Sequence, residues 1–126
     1  MKEEIFENTV LAILKTCPGI GSSQLRKALA IIDIIHNAVF GKGLTGCRYV
    51  KDRYGPVPDK EGSFRIIEMK YDRKIEQNEK EVGIFTQDSY FNIEDPDYNL
   101  FTNEQRNIIN FAAGLFCERI GKKNPW

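Results

Sequence analysis

His36 is the only histidine of the chain, and Asp33 lies three residues before it, so on a helix the two share one face. A carboxylate beside an imidazole is the arrangement that orients a general base. Catalysis would also need a nucleophile or substrate group at hand, and no Gly-x-Ser-x-Gly, His-Glu-x-x-His, Walker or dinucleotide-binding pattern supplies one. Gly41-Lys42-Gly43 is too short to cradle phosphate. The pair is therefore read as structural, with Asp33 and His36 meeting each other or the backbone of a following loop, and no catalytic residue is assigned. Cys17, Cys47 and Cys117 are odd in number and widely spaced, so neither a disulfide framework nor a zinc site is expected, and all three are read as reduced, mostly buried thiols. The acidic stretch 92–99 lacks the central glycine and closing glutamate of a calcium loop. No metal and no cofactor is expected.

A second kind of chemistry is legible between residues 42 and 60. Lys42, Arg48, Lys51, Arg53 and Lys60 make this stretch locally cationic, offset by Asp52 and Asp59, and Tyr49 and Tyr54 are interleaved with them. Gly55-Pro56-Val57-Pro58 is a rigid bend, because two prolines lock φ and remove two donors. Arg and Tyr in an ordered loop suit a protein-contact or nucleic-acid surface. The competing reading packs the tyrosines on a neighbouring helix and leaves the cations in water.

The element that must position these groups is residues 23–40, where Leu25, Ala28, Leu29, Ile32, Ile35 and Val39 recur at helical spacing. Ile31, Ile34 and Ala38 add a second stripe, and a helix apolar over so much of its circumference is expected to be wrapped on several sides. Ser22 or Ser23 is expected to cap it. A first amphipathic helix spans residues 2–16 and ends at Pro18-Gly19. Residues 64–68 fit a helical turn or a strand equally. Residues 69–76 and 82–90 read as a hairpin with its turn at 77–80. A last helix runs from 103 to 120, with Thr102 and Gln105 as a capping box and Phe101 before them, burying Ile108, Ile109, Ala112, Leu115 and Phe116. Residues 122–126 read as a frayed tail or a point of cutting. The expected fold is α+β and mainly helical, a compact helical bundle around a central apolar helix with a small β-hairpin, forming one domain over residues 1–126.

Composition bounds the function. With 18 basic and 18 acidic residues the formal net charge is zero, which gives no support to a protein built to neutralise phosphates. The acidic start Met1-Lys2-Glu3-Glu4 is unlike a signal peptide and no apolar run reaches membrane-spanning length, so a cytoplasmic protein without membrane contact is expected. Helix, short turn, helix at the N-terminal end is similar to a helix-turn-helix unit. Beyond Arg26 and Lys27, however, the second helix is almost wholly apolar, where base reading needs a polar face, so nucleic acid is not the favoured partner.

The motifs themselves resemble a known family. Residues 23–36, then Gly43-Leu-Thr-Gly-Cys-Arg-Tyr49 and Tyr54-Gly-Pro-Val-Pro58, are similar to the Panacea family, the SocA-like antitoxin domain. Leu25, Lys27, Leu29, Asp33, His36, Thr45, Gly46, Tyr49, Tyr54, Gly55, Pro56, Val57 and Pro58 match in order. The usual aromatic residue late in the first motif is replaced by Ala30-Ile31-Ile32, and the family's C-terminal Ser-x-His and Trp segment is not recognisable. The resemblance implies a small cytoplasmic bacterial or phage protein, not an enzyme, that neutralises a cognate protein toxin encoded beside it by direct contact. One type of member acts as a proteolytic adaptor that delivers toxin to the ClpXP protease. The partner-binding or motif residues are then Lys27, Asp33, His36, Arg48, Tyr49, Arg53, Tyr54, Gly55, Pro56, Val57 and Pro58. Lys27, Asp33 and His36 are expected to brace the loop from Tyr49 to Pro58. The alternative is a DNA-binding regulator or phage-associated interaction protein using the helix-turn-helix-like unit, and self-association is left open.

Overall fold

The first apolar run of the chain folds as α1 (Glu3–Thr16), with Glu3 and Glu4 in its first turn and Lys15 in its last, the signs the helix dipole favours. Phe6 and the unbroken run Thr9, Val10, Leu11, Ala12, Ile13, Leu14 are buried, so this helix is enclosed nearly all round in its second half. The one hydroxyl in that run is satisfied locally, Thr9 Oγ1 donating to the Ile5 carbonyl at 2.7 Å. The computed structural model describes residues 1–53 and 55–117. Among them, the chain continues through α2 (Ser22–Phe40), β1 (Tyr49–Asp52), β2 (Gly55–Pro58), α3 (Lys60–Tyr71), β3 (Ile75–Val82), β4 (Phe85–Asn92), a 3-10 turn (Tyr98–Leu100) and α4 (Asn103–Gly114). The fold is mixed α+β and mainly helical, with two separate two-stranded antiparallel sheets in place of the single expected hairpin.

α2 touches α1, α4, β2 and β4, but it is not wrapped as its two stripes suggested. Leu25, Ala28, Leu29 and Ile32 are buried, whereas Ile34 is 57% exposed, Ala38 is exposed and Ile31 is half-buried. Its N-terminus also corrects the expectation. Ser22 and Ser23 lie inside the helix and Gly21 stands at the cap position with no side-chain bond. The cap comes from across the fold, where Asp88 of β4 accepts the Ser22 N–H at 3.1 Å. A short bridge brings β4 there, with Gly19 N–H donating to the Tyr90 carbonyl and Tyr90 N–H to the Ile20 carbonyl. A carboxylate is the stronger acceptor for an unpaired helix amide, so it takes the role the serines could have filled.

The β3–β4 hairpin begins later than its composition suggested. Residues 69–71 finish α3, and the polar stretch 77–80 is strand, because β3 is exposed along nearly all its length and polarity there marks solvent, not a turn. The reversal is at Gly83-Ile84, between the paired residues Val82 and Phe85. Gly83 has φ +65° and Ile84 does not, the glycine-first pattern of a two-residue hairpin loop.

α3 resolves the ambiguous stretch 64–68 as helix. Asp59 caps it by accepting the Gly62 N–H at 3.2 Å, and Arg65 joins it to α1 through Glu3 at 2.7 Å and Glu7 at 3.3 Å. Gly62 packs where no side chain fits, since a Cβ there would stand 2.8 Å from Cys47 Sγ and 2.9 Å from Pro58 Cβ. Gly62→Ala is therefore expected to destabilise by about 1–3 kcal/mol through overpacking, read as a lower urea midpoint with an unchanged slope.

α4 starts at the expected capping box, Thr102 with Gln105, and buries Ile109, Ala112 and Ala113. It stops at Gly114. Leu115 is 46% exposed, and residues 118–120 and the tail 122–126 lie outside the described residues. Cys17 and Cys117 are paired as a disulfide with Cα atoms 5.3 Å apart, contrary to the expectation of three free thiols. Their 100-residue separation hid the pairing, which arises because α1 and α4 pack together and bring the end of α1 against the segment leaving α4. Cys47 is the free cysteine among the described residues. One hydrophobic cluster gathers Phe6, Val10, Leu14, Leu25, Leu29, Ile32, Leu44, Ile66, Met69, Ile75, Phe101 and Ile109.

Candidate functional site

Asp33 sits on the flank of α2 that meets the segment leaving that helix, and it is 6% exposed. A buried carboxylate needs donors on both oxygens, and four reach it. Oδ1 accepts from the backbone N–H of Leu44 at 2.7 Å and of Thr45 at 2.9 Å. Oδ2 accepts from Thr45 Oγ1 at 2.6 Å and from the Tyr49 hydroxyl at 2.5 Å. The Tyr49 hydroxyl also lies 3.1 Å from the Leu29 carbonyl, and Thr45 Oγ1 accepts from the Cys47 N–H at 3.0 Å. One carboxylate thus sets the path of residues 44–49.

His36, 3% exposed, does the same one turn later. Its Nδ1 is 2.6 Å from the Lys42 carbonyl, which can only accept, so Nδ1 carries the proton. Nε2 is then the acceptor for the Gln105 amide at 3.2 Å. Gln105 is held in that orientation because its Oε1 accepts the Thr102 N–H at 2.9 Å in the α4 capping box. The ring also rests against Phe40, centroids 4.6 Å apart. Asp33 and His36 each meet the backbone of the segment leaving α2. Asp33 does so through Oδ1, which accepts the Leu44 and Thr45 amides, while Oδ2 accepts from Thr45 Oγ1 and the Tyr49 hydroxyl. His36 does so through Nδ1, while its Nε2 ties the ring to Gln105 of α4. Among the described residues, no group of three or more His, Cys, Asp or Glu side chains is placed to hold a metal.

Beyond this cluster, the expected site residues divide between brace and surface. Arg48 and Arg53 are exposed and flank β1, and Lys27 and Pro56 line a shallow depression with Ala30, Ile31 and Ile34. Gly55 and Val57 are half-buried, Pro56 is exposed and Pro58 is buried. Tyr54 lies outside the described residues. The loop 49–58 is itself a hairpin in which Tyr49 pairs with Pro58 and Lys51 with Pro56. The bracing by Asp33 and His36 falls on residues 42–49, slightly before the stretch expected, and Tyr49 transmits it to the hairpin. Leu44 and Asp88 were missed as contributors because one acts through its backbone and the other from 66 residues away. Asp88 had one signal, being the only carboxylate in β4.

The family model described as antitoxin SocA-like, Panacea domain, matches residues 25–123. The chain belongs to this family. No curated protein and no solved structure matches it. In this Panacea domain the matching residues Asp33, Thr45 and Tyr49, scattered over 17 positions, are one hydrogen-bonded cluster. No helix among the described residues is long and apolar enough to cross a membrane.

The cluster alters the titration of its members. Burial, then the Asp33 charge and its hydrogen bond, hold the Tyr49 phenol well above the ordinary tyrosine value. Burial, then the Asp59 and Asp33 charges, push the Cys47 thiol up to about 11. For Tyr49 the folded Panacea domain keeps a proton that the unfolded chain releases above about pH 10. The unfolded state then binds fewer protons, so stability falls as pH rises through that range, by about 1.4 kcal/mol per pH unit for this group. Urea unfolding between pH 8.5 and 11.5 should show that decline, and Tyr49→Phe should be less stable at pH 8.5 but lose less as pH rises.

Proposed function

We propose that this protein is the antitoxin of a bacterial or phage toxin–antitoxin pair and neutralises its cognate protein toxin by direct, non-catalytic binding in the cytoplasm. The observation that carries this reading is the match of residues 25–123 to an antitoxin domain. The geometry supports it. Asp33 and His36, the one pair with the chemistry of a catalytic site, are buried and engaged with backbone donors and acceptors. The hairpin they hold in place presents Arg48, Lys51 and Pro56 outward, side chains that suit a protein interface. Partner-binding residues are accordingly assigned to the hairpin and the adjoining face of α2, with Asp33, His36 and Tyr49 as the groups that position them.

The test is co-expression with the product of the adjacent open reading frame. That product should arrest growth alone, growth should recover when this chain is present, and the two should co-purify. A harmless neighbour that does not co-purify would sink the reading. Delivery of the bound toxin to the ClpXP protease is the finer form of the proposal. Following toxin levels after translation is stopped, in cells with and without that protease, separates it from simple blocking.

A further inference from the structure

The second apolar stripe of α2 lies opposite its buried stripe and is only partly covered by the fold: Ile31 is half-buried and packs in part on the core, while Ile34 and Ala38 stand open. Lys27, Ile31, Ile34 and Ala38 follow one another at spacings of three and four, so they form one strip along more than three turns of helix. Ile34 is 57% exposed, Ala38 is exposed, and Pro56 of β2 closes one side to make a shallow groove with Lys27, Ala30 and Ile31. An apolar strip of this length on a helix already buried on its other side marks an interaction surface.

The charge around the strip selects the occupant. The only carboxylate in α2 is Asp33, buried and fully engaged by Leu44, Thr45 and Tyr49. Lys27 lines one end of the groove and also borders the neighbouring depression. Lys51 is the strand partner of Pro56, and directly opposed residues in an antiparallel pair project to the same face, so Lys51 stands on the same face of the ribbon as the Pro56 that lines the groove. Asp52 is one residue along β1 and projects to the other face of the ribbon, into a separate depression lined also by Ser22, Arg26, Lys27 and the capping Asp88. Lys42 follows the far end of α2. A second copy of this chain is disfavoured by the same charges. Laid antiparallel, Lys27 of one copy would approach Lys42 of the other, and laid parallel, Lys27 would meet Lys27.

We infer that the outward face of α2, from Lys27 to Ala38 with Pro56 and Lys51 at its side, is the docking groove for an acidic amphipathic helix of the toxin. The inference rests on the antitoxin reading and specifies its interface. Leu, Ile or Phe side chains of the incoming helix cover Ile31 and Ile34, and its Asp or Glu side chains pair with Lys27 and Lys51, the helix-in-groove mode of recognition.

The test uses the full chain and the purified product of the adjacent open reading frame, with affinity measured by titration calorimetry. Ile34→Asp places a carboxylate on an accessible position, so it should keep the wild-type melting curve yet weaken binding by roughly thirtyfold or more. Ile31→Ala, at a half-buried position that packs in part on the core, should weaken binding by roughly tenfold with only a small fall in melting temperature. Lys27→Glu with Lys51→Glu should weaken binding about tenfold or more and reduce its salt sensitivity. The control is Ile84→Asp at the β3–β4 tip, another exposed apolar residue at 93%, which should bind as wild type. Wild-type affinity in the Ile31 and Ile34 variants overturns the groove and leaves the antitoxin reading standing, as does loss confined to Ile84→Asp. A wild-type chain that sediments as a dimer, split by Ile34→Asp, also overturns it in favour of self-association. Absence of any complex with the wild-type chain removes the antitoxin reading and this inference with it.

Discussion

Replacing Asp33 with alanine is expected to lower the free energy of unfolding by on the order of 3–5 kcal/mol, the range in which loss of a buried, charge-assisted hydrogen-bond cluster falls. The carboxylate receives the Leu44 and Thr45 amides, the Thr45 hydroxyl and the Tyr49 phenol in a site 6% exposed. Truncation leaves four donors without it, and the Tyr49 phenol keeps only the Leu29 carbonyl at 3.1 Å. Two of the four belong to backbone and cannot be relocated without moving the segment. Asp33→Asn separates charge from shape. An amide can accept with one oxygen while its NH2 faces donors, so it should also be destabilised, by less than alanine. Urea unfolding measures both, and amide exchange should show protection lost first at Leu44, Thr45 and Cys47. A loss below about 1 kcal/mol for alanine, the value of one ordinary hydrogen bond, would overturn the view of Asp33 as the hub.

The second large effect belongs to Cys17 and Cys117. Their bond closes a loop of 100 residues, so nearly the whole chain is constrained in the unfolded state. The chain-entropy argument sets the loss on reduction, or in Cys117→Ser, at about 4–5 kcal/mol. Melting with and without dithiothreitol measures it, and Cys117→Ser should melt at the same temperature in both. Thiol counting in denaturant gives the matching chemical check, one titratable thiol in the oxidised chain and three in the reduced one. In the native state Cys47 should react slowly with alkylating agents at pH 8, because its thiol is raised to about 11. Disulfides are uncommon in reducing compartments, so the oxidised and reduced forms define two stabilities for one fold.

How much of this was legible follows from how locally each feature is determined. The capping box of α4 lies within four residues, and Thr102 and Gln105 announce it. The apolar spacing of α1 and α2 placed both helices to within a residue at each end. The motif residues Asp33, Thr45 and Tyr49 were recognisable from their order, but not that Thr45 and Tyr49 share the Asp33 carboxylate. What escaped was set by distant parts of the chain. Asp88 took the capping role from two suitable serines, a hairpin turn sat at a lone glycine and not in the most polar stretch, and a cysteine pair bridged 100 residues. The second stripe of α2 was seen correctly as apolar and wrongly as buried. Periodicity reports that a face is apolar, and cannot say whether the cover is part of the same chain.

The bonds of α2 also bear on the order in which the protein matures on the ribosome. Its first free amide waits for Asp88, Asp33 waits for residues 44–49, and His36 waits for Gln105, 69 residues downstream. Until α4 has emerged, the helix has an unsatisfied imidazole, and until β4 has emerged it has a bare N-terminus. Synthesis proceeds from the N-terminal end, so α2 is made early and finished almost last. A nascent chain stalled before residue 105 would therefore lack the Gln105 amide on His36, and amide protection of α2 should rise in three stages, as residues 44–49, then Asp88, then Gln105 become available.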